Sequence, residues 1–220
     1  MKSIHITMHD GDHKMAGFQS VSTSTVINPI CQARRLVNST CAKCYAEGLL
    51  RYRKNLDGLL VENFDVLNSV MSDEEINAVR FNTVYARIES FGDVASYLQA
   101  FNYARIIKAN PYTNFGIWTK NYAFWFRVFD AIGKPENCTF VLSSPDTNKV
   151  FDINKIPEKW RGYIDHVFTV WDPEQYPLDA ESMKGHCAGV KCRSCLKCYK
   201  KGGPFYINEA LRTQTKVNKQ

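Results

Sequence analysis

Two runs of cysteine carry the chemistry this sequence advertises. Cys187, Cys192, Cys195 and Cys198 stand at x4, x2 and x2 spacing, and Cys31, Cys41 and Cys44 at x9 and x2. Thiolates two residues apart grip one metal centre from a single turn of chain, so both runs read as ligand sets. The second run is the more specific. Structural zinc sites use two short knuckles parted by a longer spacer. Three cysteines at successive x2 spacing instead wrap a compact object, like the C-x2-C-x2-C part of ferredoxins that binds an iron–sulfur cube. Cys187 is the candidate for its fourth ligand. The first run supplies three thiols and leaves one position open, for water or substrate at zinc, or for a small molecule on one iron of a cube. Seven cysteines suit two cubes with one open iron, or one cube with spare ligands. Iron–sulfur is the leading reading and zinc the alternative. Cys138, alone at the start of a strand, reads as a buried thiol.

The rest of the chain bounds what those thiols can be for. With 220 residues a sizeable core forms without disulfide staples. There is no apolar run near the ~20 residues that span a bilayer. The N-terminus, Met1-Lys2-Ser3-Ile4-His5, has no apolar signal core. The expectation is one cytoplasmic domain over 1–220, where reducing conditions favour metal over disulfides. A net charge of +6 tolerates an anionic partner without demanding one. Lys191, Arg193, Lys197, Lys200 and Lys201 make a cysteine-rich loop at about 186–203 basic. They could face nucleic acid, but offsetting the charge of a thiolate-bound cluster is the preferred reading.

Other polar residues fall where a site would need them. Glu89-Ser90-Phe91-Gly92-Asp93 offers Glu89 and Asp93 as cofactor-amine or acid/base groups, with Ser90 and Gly92 between them. The plainer reading is a strand exit capped by Ser90 or Asp93. Lys120 either neutralises an anion beside the cluster or opens a solvated helix. Tyr45 and Tyr199 follow Cys44 and Cys198 directly; such rings often shield clusters from water, and the plainer reading for each alone is packing without a tuning role. His5, His9 and His13 would share a face of a helix, but Asp10-Gly11-Asp12 breaks it. His186 adjoins Cys187. No phosphate-binding glycine loop and no G-x-S-x-G elbow is present.

These residues need elements to position them. Strands are predicted at Gln19–Ile27, Phe81–Ile88, Phe115–Thr119, Thr139–Ser144, Val167–Trp171 and Phe205–Ile207. Helices are predicted at about Ala42–Arg53, at Gly58–Val70, from a capped start at Ser72, from Val94 to the Pro111 stop, and at Tyr122–Ile132. Asn28-Pro29 ends the first strand, and a cysteine loop follows. Alternating strands and helices imply a parallel sheet covered by helices, as a partial or complete barrel or an open doubly wound sheet. Function then lies beyond the carboxyl ends of the strands, where the first cysteine run, Glu89–Asp93 and Lys120 all fall. The stretch from Arg212 to Gln220 reads as a basic tail.

Ser22-Thr23-Ser24-Thr25, Asn28-Pro29-Ile30-Cys31 and Cys41-Ala42-Lys43-Cys44-Tyr45-Ala46 resemble a bacteriophage gene-product family with a radical-SAM-like start. The likeness continues through Arg87–Asp93 and Phe115–Lys120, over roughly the first 120 residues. It implies a partial (β/α)6 TIM-like barrel with a 4Fe-4S cube on Cys31, Cys41 and Cys44, and a host-cytoplasmic location. S-adenosylmethionine would chelate the open iron, and its reductive cleavage would give a 5′-deoxyadenosyl radical. The C-terminal run is compatible with the auxiliary clusters of such enzymes. The spacing departs from the family's C-x3-C-x2-C, being C-x9-C-x2-C. The expected function is a cluster-dependent enzyme with a small-molecule substrate or an electron donor as partner. The rivals are a non-enzymatic electron-transfer or cluster-binding protein, and a zinc-stabilised nucleic-acid-binding module.

Overall fold

The computed structural model describes residues 3–172, 174, 185–187, 189–203 and 205–211. The basic stretch at 212–220 lies outside them. Seven strands form one sheet in the order β1 (Thr7–Met8), β2 (Gln19–Val21), β3 (Tyr85–Ile88), β4 (Asn114–Thr119), β5 (Cys138–Ser143), β6 (His166–Trp171) and β7 (Tyr206–Ala210). β1 pairs antiparallel with β2, and every later pair is parallel. The spatial order never reverses. A doubly wound sheet needs such a reversal, so that alternative is corrected: the sheet is singly wound. Right-handed crossovers that always step the same way stack their helices on one face.

That face is apolar. Val21, Ala86, Ile88, Phe115, Ile117, Phe140, Leu142 and Val167 point from successive strands into one core. They meet Ala100, Tyr103 and Ala104 of α6 (Tyr97–Lys108) and Trp125, Phe126 and Phe129 of α7 (Tyr122–Ile132). α7 spans the residues read from sequence and ends at Gly133, whose φ of +76° suits glycine. Five helices fill the long β2–β3 connection: α1 (Pro29–Arg35), α2 (Ser39–Ala42), α3 (Tyr45–Tyr52), α4 (Lys54–Leu67) and α5 (Asp73–Ala78). α5 starts in the capping box expected at Ser72, closed reciprocally with Glu75. A short α8 (Glu158–Arg161) precedes β6. No helix of the described residues is long and apolar enough to cross a membrane.

The opposite face carries larger and more polar groups. Arg87 of β3 lies beside Gly116 of β4. A side chain at Gly116 would meet Trp118 at 2.6 Å and Tyr199 at 2.8 Å, so glycine is what lets Tyr199 reach the sheet. Tyr199 ends the C-terminal cysteine segment, which contains α9 (Cys192–Cys195) and a 3-10 turn at Lys197–Tyr199. Its ring packs against Phe18, Trp118 and Tyr85 at centroid distances of 5.0, 5.5 and 5.7 Å. His166 Nε2 donates to the Lys200 carbonyl at 3.1 Å and fastens the same segment. The cysteine-rich segment is thereby folded back across the face that the helices leave uncovered.

Two expectations change. The first strand stops at Val21 rather than Ile27. Ser22–Thr25 leave the ladder because they bond elsewhere: the Ser22 hydroxyl accepts from Ser90 N, and Thr23 N donates to Glu89. Cys31 lies in a helix rather than a loop. Asn28 caps α1 by accepting from the backbone of Ile30 and Cys31, and Pro29 takes the first helical position, where its missing N–H costs nothing.

Candidate metal centre

A cavity of about 300 Å³ opens at the carboxyl ends of the parallel strands, and all seven grouped cysteines line it. Tyr45, Glu89, Ser90, Gly92, Asp93 and Lys120, the other residues singled out from sequence, line it too. Cys31 comes from the first turn of α1, Cys41 from α2, and Cys44 from the N-cap of α3. Cys192 and Cys195 close the single turn of α9, and Cys198 follows in the 3-10 turn. Cys187 is set by its own N–H, which donates to the Asn208 carbonyl of β7 at 2.8 Å. Cys138 lies outside the cavity, buried in the helix-side core, where burial pushes its thiol up to about 12.

The β3 exit is a scaffold of fixed carboxylates. Asp93 accepts from Thr119 Oγ1 at 2.5 Å, Lys120 N at 2.8 Å and Arg34 Nη1 at 3.0 Å. Its carbonyl accepts from Asn28 Nδ2 at 2.6 Å. Asp93 thus ties the cap of α1, and with it Cys31, to the end of β4. Arg34 also donates to the Lys120 carbonyl at 2.9 Å. The helix cap after this loop is Ser96, not Ser90 or Asp93. Ser90 instead shares a 2.9 Å hydroxyl contact with Ser22. Gly92 has a φ of +81°, and a Cβ there would stand 2.8 Å from the Thr23 carbonyl, so only glycine fits.

Glu89 has a left-handed φ of +54°, a conformation that costs a non-glycine residue about 1–3 kcal/mol. Its carboxylate accepts from Thr23 N (3.0 Å), Thr23 Oγ1 (2.9 Å), Gln99 Nε2 (2.8 Å) and Tyr103 Oη (2.8 Å). Burial outweighs these donors and raises its carboxyl from 4.5 to about 8. The folded chain therefore keeps a proton that the unfolded chain releases. Between pH 4.5 and 8 the Glu89 contribution to stability falls as pH rises, by about 1 kcal/mol per pH unit. Urea melts from pH 5 to 8 should show this slope in the wild type and a flatter one in Glu89→Gln.

Burial favours the neutral form of the thiols. Burial raises Cys31, and Asp93, Glu89, Cys44 and Cys41 raise it further. Burial also raises Cys41, against the pull of Lys120 and Arg34, and Cys192, against Lys14 and Arg87. Cys198 is pushed up to about 12 by burial, then by Cys187. Each group's members thus sense one another's charge. A metal centre reverses this by binding the thiolate outright, so the donor set fits a cationic centre. Among the described residues, no three histidine, cysteine, aspartate or glutamate side chains close around the position of a single metal ion.

Sequence reasoning missed three residues of the cavity wall that carry buried, unpartnered polar atoms. Of the four buried side-chain atoms without a hydrogen-bond partner among the described residues, Thr25 Oγ1, Glu47 Oε2 and Arg87 Nε belong to residues that line it. These three atoms are sealed within the cavity wall, and other atoms of the same residues face the space. The other Glu47 oxygen is shared by Arg35 and Arg51. Arg87 had a sequence signal, as a charge set between Ala86 and Ile88 in a strand. The tyrosines beside the cysteines differ: Tyr199 is buried, whereas Tyr45 is 41% exposed. The spaced histidines share no helix; His5 binds Glu62 and His9 binds Ser20.

Neither the curated proteins nor the solved structures give a match to this chain. One family pattern does, over residues 21–219, an interval that holds both cysteine runs and the whole parallel sheet from the end of β2 onward. On that coverage the chain belongs to the Gene product 88 family.

Proposed function

We propose that this protein binds iron–sulfur clusters at both cysteine groups and uses them to transform a small molecule, as a radical-SAM-like enzyme on a partial (β/α)6 barrel. One cube would rest on Cys31, Cys41 and Cys44 with an iron left open, and a second on Cys187, Cys192, Cys195 and Cys198. The observation that carries this reading is that thiols from two distant segments line one cavity at the carboxyl ends of six parallel strands in sequential order. The first cube would supply single electrons for reductive cleavage of S-adenosylmethionine bound at its free iron.

The chain's own residues have definable tasks. Asn28 and Asp93 hold the α1 turn that carries Cys31. Arg34 and Lys120 set positive charge against Cys41, offsetting the negative charge of a thiolate-bound centre. Tyr199, with Phe18, Tyr85 and Trp118, puts an aromatic wall under the second group that keeps water from it. Three thiols at the first group leave one coordination position open, which favours an enzyme over an electron carrier.

Incubation of anaerobically purified, cluster-loaded protein with S-adenosylmethionine and dithionite should release 5′-deoxyadenosine. Cys44→Ala should abolish the release. Intact clusters without any release would sink the enzyme reading and leave a cluster-binding protein.

A further inference from the structure

We propose that Arg87 is the anchor for a carboxylate or phosphate on the molecule that occupies the cavity. Resting on the enzyme reading above, this makes the substrate an anionic small molecule, gripped on the side of the second cysteine group.

Arg87 is the exception among the cavity's arginines. Arg34 is paired with Asp93, and Arg35 with Glu47. Lys14, another cation whose charge reaches Cys192 and Cys198, is bound to Glu209 at 2.8 Å. The carboxylate of Glu89, two residues along the chain, is turned to Thr23, Gln99 and Tyr103. Arg87 has no ion pair and no hydrogen bond among the described residues; its Nε is buried without an acceptor, and the rest of the half-buried side chain lines the cavity. A guanidinium carries five donors and cannot shed its charge, so leaving it unpaired in a protein wall is costly unless an acceptor arrives.

The group is also held in place. Its guanidinium carbon lies 4.2 Å from the centroid of the Trp118 ring, on the neighbouring strand. Stacking fixes the plane of the guanidinium without using its N–H donors. The two Nη groups, unbonded and not sealed as Nε is, present a flat edge that matches the two oxygens of a carboxylate or phosphate. Its charge acts on His9, Tyr199, Cys192 and Cys198, which sets the anchor beside the second group. Charge compensation for that cluster alone is the competing role, and the test separates the two.

Inorganic phosphate and acetate are the probes, titrated by calorimetry into the full, cluster-loaded chain, with iron measured on the same sample. The wild type should bind at least one of them saturably. Arg87→Gln should weaken that binding on the order of tenfold or more, and Arg87→Lys should restore part of it. Should Arg87→Gln fail to fold, the Arg Nε–H resonances of the wild type serve instead: one of them should shift on saturation with the bound probe. Absence of saturable binding to either probe overturns the proposal. So does equal binding by Arg87→Gln, or an Nε–H spectrum unmoved by saturation, even if the variant changes the cluster's potential. Saturable, Arg87-dependent binding by iron-free protein upholds the anchor and overturns the cluster reading, whereas iron-loaded protein without binding overturns the anchor alone.

Discussion

Replacing Tyr199 with alanine is expected to destabilise the protein by about 3–5 kcal/mol and to strip metal from the second cysteine group. The ring is buried against three other aromatic rings and over Gly116. Truncation leaves a cavity that these rigid neighbours cannot close, which adds to the lost burial. The segment anchored by that ring carries Cys192, Cys195 and Cys198, so these thiols lose their footing with it. Tyr199→Phe preserves the packing and should retain both stability and metal. Urea denaturation together with iron content of the two variants checks this. If Tyr199→Ala matched the wild type in both, the aromatic anchor would be wrong.

Asp93→Ala should cost about 3 kcal/mol and empty the first cysteine group while sparing the second. The substitution deprives Arg34, Thr119 and the Lys120 N–H of one acceptor at once. It leaves the Arg34 charge partly buried and unpaired beside Cys41, and breaking such a pair costs more than the pair contributes. Asp93→Asn keeps the shape and some of the acceptors, so its loss should be smaller. The reading is the iron-to-protein ratio before and after the substitution, which should fall by about half. Equal loss from both groups would mean that Asp93 supports the fold at large rather than the first site.

Much of this arrangement could be read from the chain, because the signals were local. β-Branched runs marked the strands, a Ser72–Glu75 box marked α5, and Gly133 marked the end of α7. The cysteine, Glu89–Asp93 and Lys120 positions all reach the cavity because strand ends are where α/β crossovers expose polar chain. Strand β1, two residues long and paired antiparallel, has too little pattern to be seen. Asn28-Pro29 reads as a stop for the strand, yet an asparagine cap followed by proline is equally a local helix start, and Asn28 opens α1 by accepting from Ile30 and Cys31. Whether the two cysteine groups share one site is left open by the sequence. It depends on Tyr199 meeting Gly116, a fit of shapes that neither local sequence discloses. Arg87 looked like a strand residue; its significance lies in the partners it lacks.

The central claim is that sulfur atoms from both groups hold inorganic iron. Iron and acid-labile sulfide, counted per chain in anaerobically purified protein, test it most directly. About eight of each are predicted for the wild type, and about four for Cys41→Ala/Cys44→Ala and for Cys192→Ala/Cys195→Ala. A folded wild type that is colourless and metal-poor, or that carries zinc in place of iron, would contradict the account.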